Sequence, residues 1–357
     1  STSLEGDFMF RKKTRKIMVG NVPVGGDSPI TVQSMTNTIT KDIVATVNQI
    51  KELEREGCHI IRSAITDLDD AKAIKEIKKN INIPFVADVQ FDYKLAIASV
   101  ENGADCLRIN PGNIGSLQKV REVVKCCKER SVPIRIGVNS GSIKQEYLKK
   151  YNGVNADSMV YSALEQIRLL EDMDFQEIKI SMKASDVSLT IKAYEKISEM
   201  VDYPLHLGVT EAGPTFRGAI KSAIGIGTLL YKGIGDTIRV SLTDNPIEEV
   251  RVGREILRSL GLLNEGVEII SCPTCGRTKI QLIKLVEEAE EKLKDVKKPL
   301  KVAIMGCPVN GPGEAREADI GIAGGNGLGI IFKKGKVIKK VKEELLLDEL
   351  LNEIHDL

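Results

Sequence analysis

An α/β fold with a (β/α)8 (TIM) barrel followed by a small α/β domain is predicted by two features of the chain. Between residues 30 and 243, short apolar, β-branched runs alternate eight times with amphipathic helical stretches, the pattern of a parallel sheet closed on itself. After Leu260-Gly261 the texture changes to strands flanking one long charged helix. The barrel strands are placed at 30–34, 59–65, 85–89, 106–110, 134–139, 177–182, 205–209 and 237–242. Between the first two, Ile43, Val47, Ile50 and Leu53 recur at helical spacing among Lys, Glu and Asn. Pro84, Pro133 and Pro204 each precede a strand and punctuate the helix-to-strand turn. A doubly wound sheet is the alternative, but eight regular units favour closure. Beyond the barrel, strands are expected at 267–271, 302–305, 319–323, 328–332 and 336–341, with helices at 279–296 and 343–354. The division is drawn as 1–263 for the barrel and 264–357 for the second domain.

The 357 residues carry 51 Lys and Arg against 50 Asp and Glu, with no Trp. That balance, and the scarcity of aromatics, argue against a nucleic-acid surface. No apolar run approaches a membrane span. Residues 1–7 are polar and lack the apolar core of an export signal. Seven cysteines without such a signal point to the reducing cytoplasm, where thiols serve packing or metals.

Three of those cysteines lie in Cys272-Pro-Thr-Cys275-Gly-Arg277 and Gly306-Cys307-Pro-Val-Asn-Gly-Pro-Gly-Glu314. Both segments follow expected strands, so neighbouring strands would bring them together. Iron–sulfur clusters normally take four Cys ligands, and a set that stops at three leaves one iron open for chemistry. A zinc site would normally add a fourth Cys or a His, yet His59, His206 and His355 are remote in sequence. A redox dithiol would not need Cys307. Spacing alone leaves all three readings standing. Cys58, Cys106, Cys126 and Cys127 are read as packing residues, the last two facing different directions on their helix.

Active sites of such barrels lie where the strands end. This chain places there Arg62, Asp88, Gln90, Arg108, Asn110, Asn113, Arg135, Asn139, Ser181, Lys183, Thr210, Glu211, Arg239, Ser241 and Thr243. Arg108/Asn110 and Arg239/Ser241/Thr243 have the period of two that keeps side chains on one strand face. Five converging cations require water, an anion or a carboxylate; Asp88, Asp236 and Glu211 are the internal candidates. Arginine forks suit phosphate, and the turns at Asn110-Pro-Gly-Asn113 and Asn139-Ser-Gly-Ser142 offer backbone N–H groups. A dianionic or diphosphate substrate is the natural reading.

Taken together, these segments resemble the bacterial 4-hydroxy-3-methylbut-2-enyl diphosphate synthases of the non-mevalonate isoprenoid pathway. The resemblance runs through Val32-Gln-Ser-Met35, Ala87-Asp-Val-Gln-Phe-Asp-Tyr93, Arg108-Ile-Asn-Pro-Gly-Asn-Ile-Gly115, Arg135-Ile-Gly-Val-Asn-Ser-Gly-Ser142, Lys183-Ala-Ser-Asp186, His206-Leu-Gly-Val-Thr-Glu-Ala-Gly213, Gly233-Ile-Gly-Asp-Thr-Ile-Arg-Val-Ser241 and both cysteine segments. It implies a two-electron reductive dehydroxylation and ring opening of 2-C-methyl-D-erythritol 2,4-cyclodiphosphate. It also implies a [4Fe-4S] cluster held by Cys272, Cys275, Cys307 and Glu314. Arg62, Arg108, Arg135, Lys183 and Arg239 would then clamp the cyclic diphosphate, with Gln90, Asn110, Asn139, Ser142 and Ser241 adding hydrogen bonds. Asp88 and Glu211 would bind hydroxyls or orient the cations, and Glu314 would relay a proton. Electrons would come from ferredoxin or flavodoxin. A homodimer is implied in which the cluster domain of one subunit caps the other's barrel.

The family usually carries His where this chain has Gln90. An amide binds a phosphate or hydroxyl but does not exchange protons near neutral pH, so position 90 is expected to bind only. Two other function classes compete with the reductase. One is a carrier that stores a cluster beside an anion-binding barrel. The other is a zinc-stabilised barrel hydrolase or aldolase with Lys183 as a Schiff-base lysine.

Overall fold

The computed structural model describes residues 10–307, 313 and 315–357. The chain divides into two compact units, one ending at Leu262 and one beginning at Leu263.

The first unit opens with an antiparallel hairpin, β1 (Ile17–Val19) and β2 (Val22–Val24), which the sequence reading did not foresee. Ile17, Val19 and Val24 are buried against Ile60, Val86 and Cys106 of the barrel strands, so the hairpin stoppers the end where the strands begin. The eight barrel strands follow: β3 (Thr31–Met35), β4 (Ile60–Ala64), β5 (Phe85–Asp88), β6 (Cys106–Arg108), β7 (Ile134–Asn139), β8 (Ile178–Lys183), β9 (His206–Leu207) and β10 (Thr237–Ile238). They pair in parallel, each beside its sequence neighbour, and β10 returns to β3. An Ile180–Leu205 bridge links β8 to the start of β9 and closes the ring.

Short side chains set where the helices start. Asp42, Asp67, Asp92, Ser116, Asn155, Asp186 and Asn245 each accept a hydrogen bond from a first-turn N–H. Each such cap satisfies a donor left over at the helix start, at about 0.5–2 kcal/mol apiece. Because these starts follow the strand ends, the caps also hold the loops of the barrel mouth.

Of the strands that end earlier than expected, two bear on the site. β6 stops at Arg108 because the Asn110 side chain turns aside to bond the Gly137 backbone, accepting from its N–H and donating to its C=O, both at 2.9 Å. β10 stops at Ile238, so Arg239, Ser241 and Thr243 do not share a strand face as their spacing implied. Only Arg239 keeps a ladder bond, from its N–H to Leu207 O at 3.0 Å. Asp236, an expected counter-ion for the mouth, belongs to the other end. It is 1% exposed, pairs with Arg11 at 2.8 Å, and accepts from the Leu205 N–H. Cys58, Cys106, Cys126 and Cys127 are all buried, as packing residues should be.

The second unit is a five-stranded sheet in sequence order: β11 (Val267–Ser271), β12 (Leu300–Met305), β13 (Ile320–Gly325), β14 (Leu328–Lys333) and β15 (Lys336–Lys342). The first three are parallel and the last two antiparallel. Helices Leu282–Leu293 and Leu346–His355 cover one face, where Ala289, Leu293, Leu350 and Ile354 meet Val302, Ile304, Ile320 and Ile322.

Candidate active site and cysteine centre

Asp88 and Arg108 are register partners on β5 and β6, while Arg62 sits on β4 opposite Val86, two residues before the partner of Asp88. The Asp88 carboxylate lies 3.6 Å from both guanidinium groups, and its side chain is 9% exposed. At 3.6 Å these are ion pairs rather than hydrogen bonds, and Arg62 Nε and Nη2 donate instead to Met35 Sδ at 3.3 and 3.2 Å. Arg135, 1% exposed, donates from Nη2 to Ser181 Oγ at 3.1 Å, while its Nε and Nη1 have no hydrogen-bond partner. Arg108 Nε and Arg239 Nε are likewise unpartnered. Lys183 is buried at the end of β8.

Burial, then mutual repulsion, drives these cations down. Arg62 and Lys183 fall well below their usual ranges, and Arg135 falls to about 9. A guanidinium does not give up its proton in practice. The mouth therefore stores a demand for negative charge that two carboxylates, Asp88 and Glu249, leave unmet. Two glycines, Gly137 on β7 and Gly208 just past β9, make the space. A Cβ on Gly137 would stand 2.6 Å from Ser181 Oγ, and one on Gly208 would stand 2.9 Å from Lys183 Cε and 3.0 Å from the Arg239 carbonyl oxygen.

The other expected residues divide by position. Asn139 and Ser241 are half-buried, whereas Gln90, Ser142 and Glu211 are exposed at the rim. Ser142 Oγ donates to the Asn139 carbonyl at 3.2 Å. Glu211 holds a left-handed backbone, φ +53°, uncommon for a residue with a side chain. Asn110 is committed to the Gly137 backbone as described.

Sequence reasoning missed a deeper polar layer. Lys179, His206 and Gln33 are each 0% exposed, and Lys179 Nζ, both His206 ring nitrogens and both Gln33 amide atoms lack hydrogen-bond partners. Burial pushes Lys179 down to about 8 and holds His206 well below its usual range, with Arg135 adding repulsion. The signal was present: Lys179, Ser181 and Lys183 alternate along β8, and Arg135 faces Lys179 in register. Lys179→Met is expected to raise the thermal midpoint by a few degrees, as replacing buried charge with an apolar chain of similar volume stabilises by about 1–4 kcal/mol in favourable cases. Calorimetry of the two proteins checks this; a lower midpoint for the variant would mean Lys179 is fully compensated.

In the second unit, Cys272 directly follows β11 and Cys307 lies two residues beyond β12, its parallel neighbour. The Gly306 N–H donates to Cys272 Sγ at 3.3 Å, and the Lys279 N–H donates to Gly306 O at 2.9 Å, tying the two cysteine segments together. Gly306 leaves little room for a side chain, because a Cβ would stand 3.1 Å from Thr278 Cγ2. Backbone hydrogen bonding at Arg277 lowers the exposed Cys275 thiol toward the thiolate, and Thr278 assists. All three thiols are free. Among the described residues, no three of His, Cys, Asp and Glu gather closely enough for a single metal ion. Cysteine thiolates are the soft donors that iron–sulfur clusters take, so the chemistry of this donor set fits one. Glu314 lies outside the described residues.

Fold and site define a class: a (β/α)8 barrel built to bind an anion, continued by an α/β unit with cysteines at adjoining strand ends. Residues 14–254 match the GcpE TIM-barrel domain and 268–356 the GcpE protein C-terminal domain. The chain belongs to the GcpE family. It is 65% identical over 344 residues to a protein of Caldanaerobacter subterraneus, covering 96% of this chain and 97% of that one. It is 62% identical to one of Clostridium perfringens, covering 96% and 98%. Both are called 4-hydroxy-3-methylbut-2-en-1-yl diphosphate synthase (flavodoxin). Among solved structures, a type I 3-dehydroquinate dehydratase from Clostridium difficile aligns with a TM-score of 0.51 at 14% identity, over 69% of this chain and 98% of that one. That likeness speaks to the barrel fold alone.

Proposed function

We infer that the protein is an oxidoreductase of isoprenoid biosynthesis, a 4-hydroxy-3-methylbut-2-enyl diphosphate synthase. It converts 2-C-methyl-D-erythritol 2,4-cyclodiphosphate to (E)-4-hydroxy-3-methylbut-2-enyl diphosphate, consuming two electrons and protons, opening the ring and releasing water. The observation that carries this reading is the near-full-length identity to synthases across both the barrel and the cysteine unit.

Residues 1–263 serve as the substrate-binding domain and 264–357 as the cluster domain. Cys272, Cys275, Cys307 and Glu314 would hold a [4Fe-4S] cluster, with the carboxylate as the harder, more labile ligand. When bound, the cluster supplies electrons one at a time and an iron open to the substrate. The barrel residues do the rest. Arg62, Arg108, Arg135, Lys183 and Arg239 clamp the diphosphate, and its charge answers the demand left by Asp88 and Glu249. Asp88 pairs with both Arg62 and Arg108, offsetting their repulsion, and accepts from a substrate hydroxyl. Asn110, through lone pairs and protons its Gly137 contacts leave over, joins Asn139, Ser142 and Ser241 in hydrogen bonding. Gln90 binds without moving protons; Glu211 at the rim orients hydroxyls, and Glu314 is assigned the proton relay.

Flavodoxin is favoured over ferredoxin as donor, because the relatives' names carry it. A homodimer, with the cluster domain of one subunit capping the other's barrel, fits an apolar stripe on helix Thr215–Tyr231, where Phe216, Ile220, Ile224 and Tyr231 are exposed on one face. No helix of the described residues is long and apolar enough to cross a membrane; the cytoplasm is the proposed location.

The test is an anaerobic electron paramagnetic resonance titration of the reduced, iron-reconstituted protein with the cyclic diphosphate. A cluster signal that changes shape as substrate saturates is expected. An unchanged signal at demonstrated saturation would make the cluster a bystander and move the chemistry to the barrel.

A further inference from the structure

Arg239 is the substrate cation with the least strand support, since β10 ends one residue before it. It also stands among like charges, because both Arg62 and Lys183 are pushed down in part by it. A side chain so placed should swing away from the mouth unless something holds it. The carboxylate of Glu249 does. Glu249 lies in the first turn of helix Pro246–Ser259, 4% exposed. Its Oε1 accepts from Ser34 Oγ at 3.0 Å and lies 3.6 Å from Arg239 Nη2, while Oε2 accepts from the Leu242 N–H at 2.9 Å. One carboxylate thus joins β3, the loop after β10 and the guanidinium, and the helix N-terminus favours its charge.

We propose that Glu249 is a positioning residue for substrate binding, aiming Arg239 into the mouth. The inference rests on the synthase reading for its substrate. Two effects oppose one another when the charge is removed. A more positive mouth attracts the dianion more strongly, but a misaimed guanidinium loses its fit to phosphate. Small misplacements of binding groups cost about a hundredfold, so the loss of aim decides the outcome.

Glu249→Gln separates the roles. The amide can donate to Ser34 Oγ and accept from Leu242 N–H, keeping both hydrogen bonds while discarding the charge that faces Arg239. The expected result on the holoenzyme is a KM for the cyclic diphosphate raised about 10- to 100-fold with kcat within about twofold, the mark of lost binding. In an Arg239→Met background the same change should have no further effect, because residues that act as one unit are not additive. An unchanged or lowered KM overturns the proposal, as does an equal rise in both backgrounds. Should Glu249→Gln fold poorly, Ser34→Ala, which loosens the carboxylate from β3, takes its place with a smaller rise that must also vanish beside Arg239→Met. The same cycle read by calorimetry with inorganic pyrophosphate does not depend on turnover. A wild type that binds pyrophosphate but does not convert the cyclic diphosphate therefore overturns the synthase reading and leaves the coupling to be judged on its own.

Discussion

Cys272→Ala is expected to give colourless protein without iron and without turnover, its barrel folded as before. Cys272 follows β11 half-buried, receives the Gly306 N–H, and packs against both apolar clusters of its sheet. Alanine keeps the packing volume nearly intact, so the loss falls on the ligand set. With one of three thiolates gone, too few soft donors remain for a cluster that normally takes four ligands. Cys272→Ser keeps the shape and offers a harder oxygen, so it should assemble little iron and lose it readily. Iron and sulfide analysis with visible absorption reads the cluster, and circular dichroism reads the fold. Full iron content in the alanine variant would remove Cys272 from the ligand set.

Gly208→Ala should be nearly as damaging through the barrel alone. The added Cβ would stand 2.9 Å from Lys183 Cε and 3.0 Å from the Arg239 carbonyl oxygen. Lys183 can bend, but the backbone oxygen belongs to the loop leaving β10 and has less freedom. Relief therefore displaces two of the proposed substrate cations together. Overpacking of this kind costs about 1–3 kcal/mol of stability, and misplacement of the cations should raise KM about a hundredfold. Thermal unfolding and steady-state kinetics read the two effects separately. Unchanged kinetics with a lowered midpoint would show that Lys183 and Arg239 are not set by the space at Gly208.

The periodicity that located these strands was legible because each barrel strand is buried and apolar over several residues, and each helix shows one apolar face. All five strands of the second unit were found for the same reason. The β1–β2 hairpin was not, since two three-residue strands around a turn carry too little pattern. Among site residues, the mouth cations were legible as charges at strand ends. Lys179, inside a strand, and Glu249, on a helix, escaped because neither fits that rule. Asp236 was assigned to the wrong end because it precedes its strand, and position along a strand decides which end a side chain serves. The commitment of Asn110 to the Gly137 backbone is a tertiary pairing that no local spacing announces.

The hairpin against Ile60, Val86 and Cys106 also decides the traffic of the barrel. With that end stoppered, the barrel is a cul-de-sac and not a conduit. On the proposed function, product would leave by the mouth through which substrate entered. Accumulating product is then expected to compete with fresh substrate for the same cations.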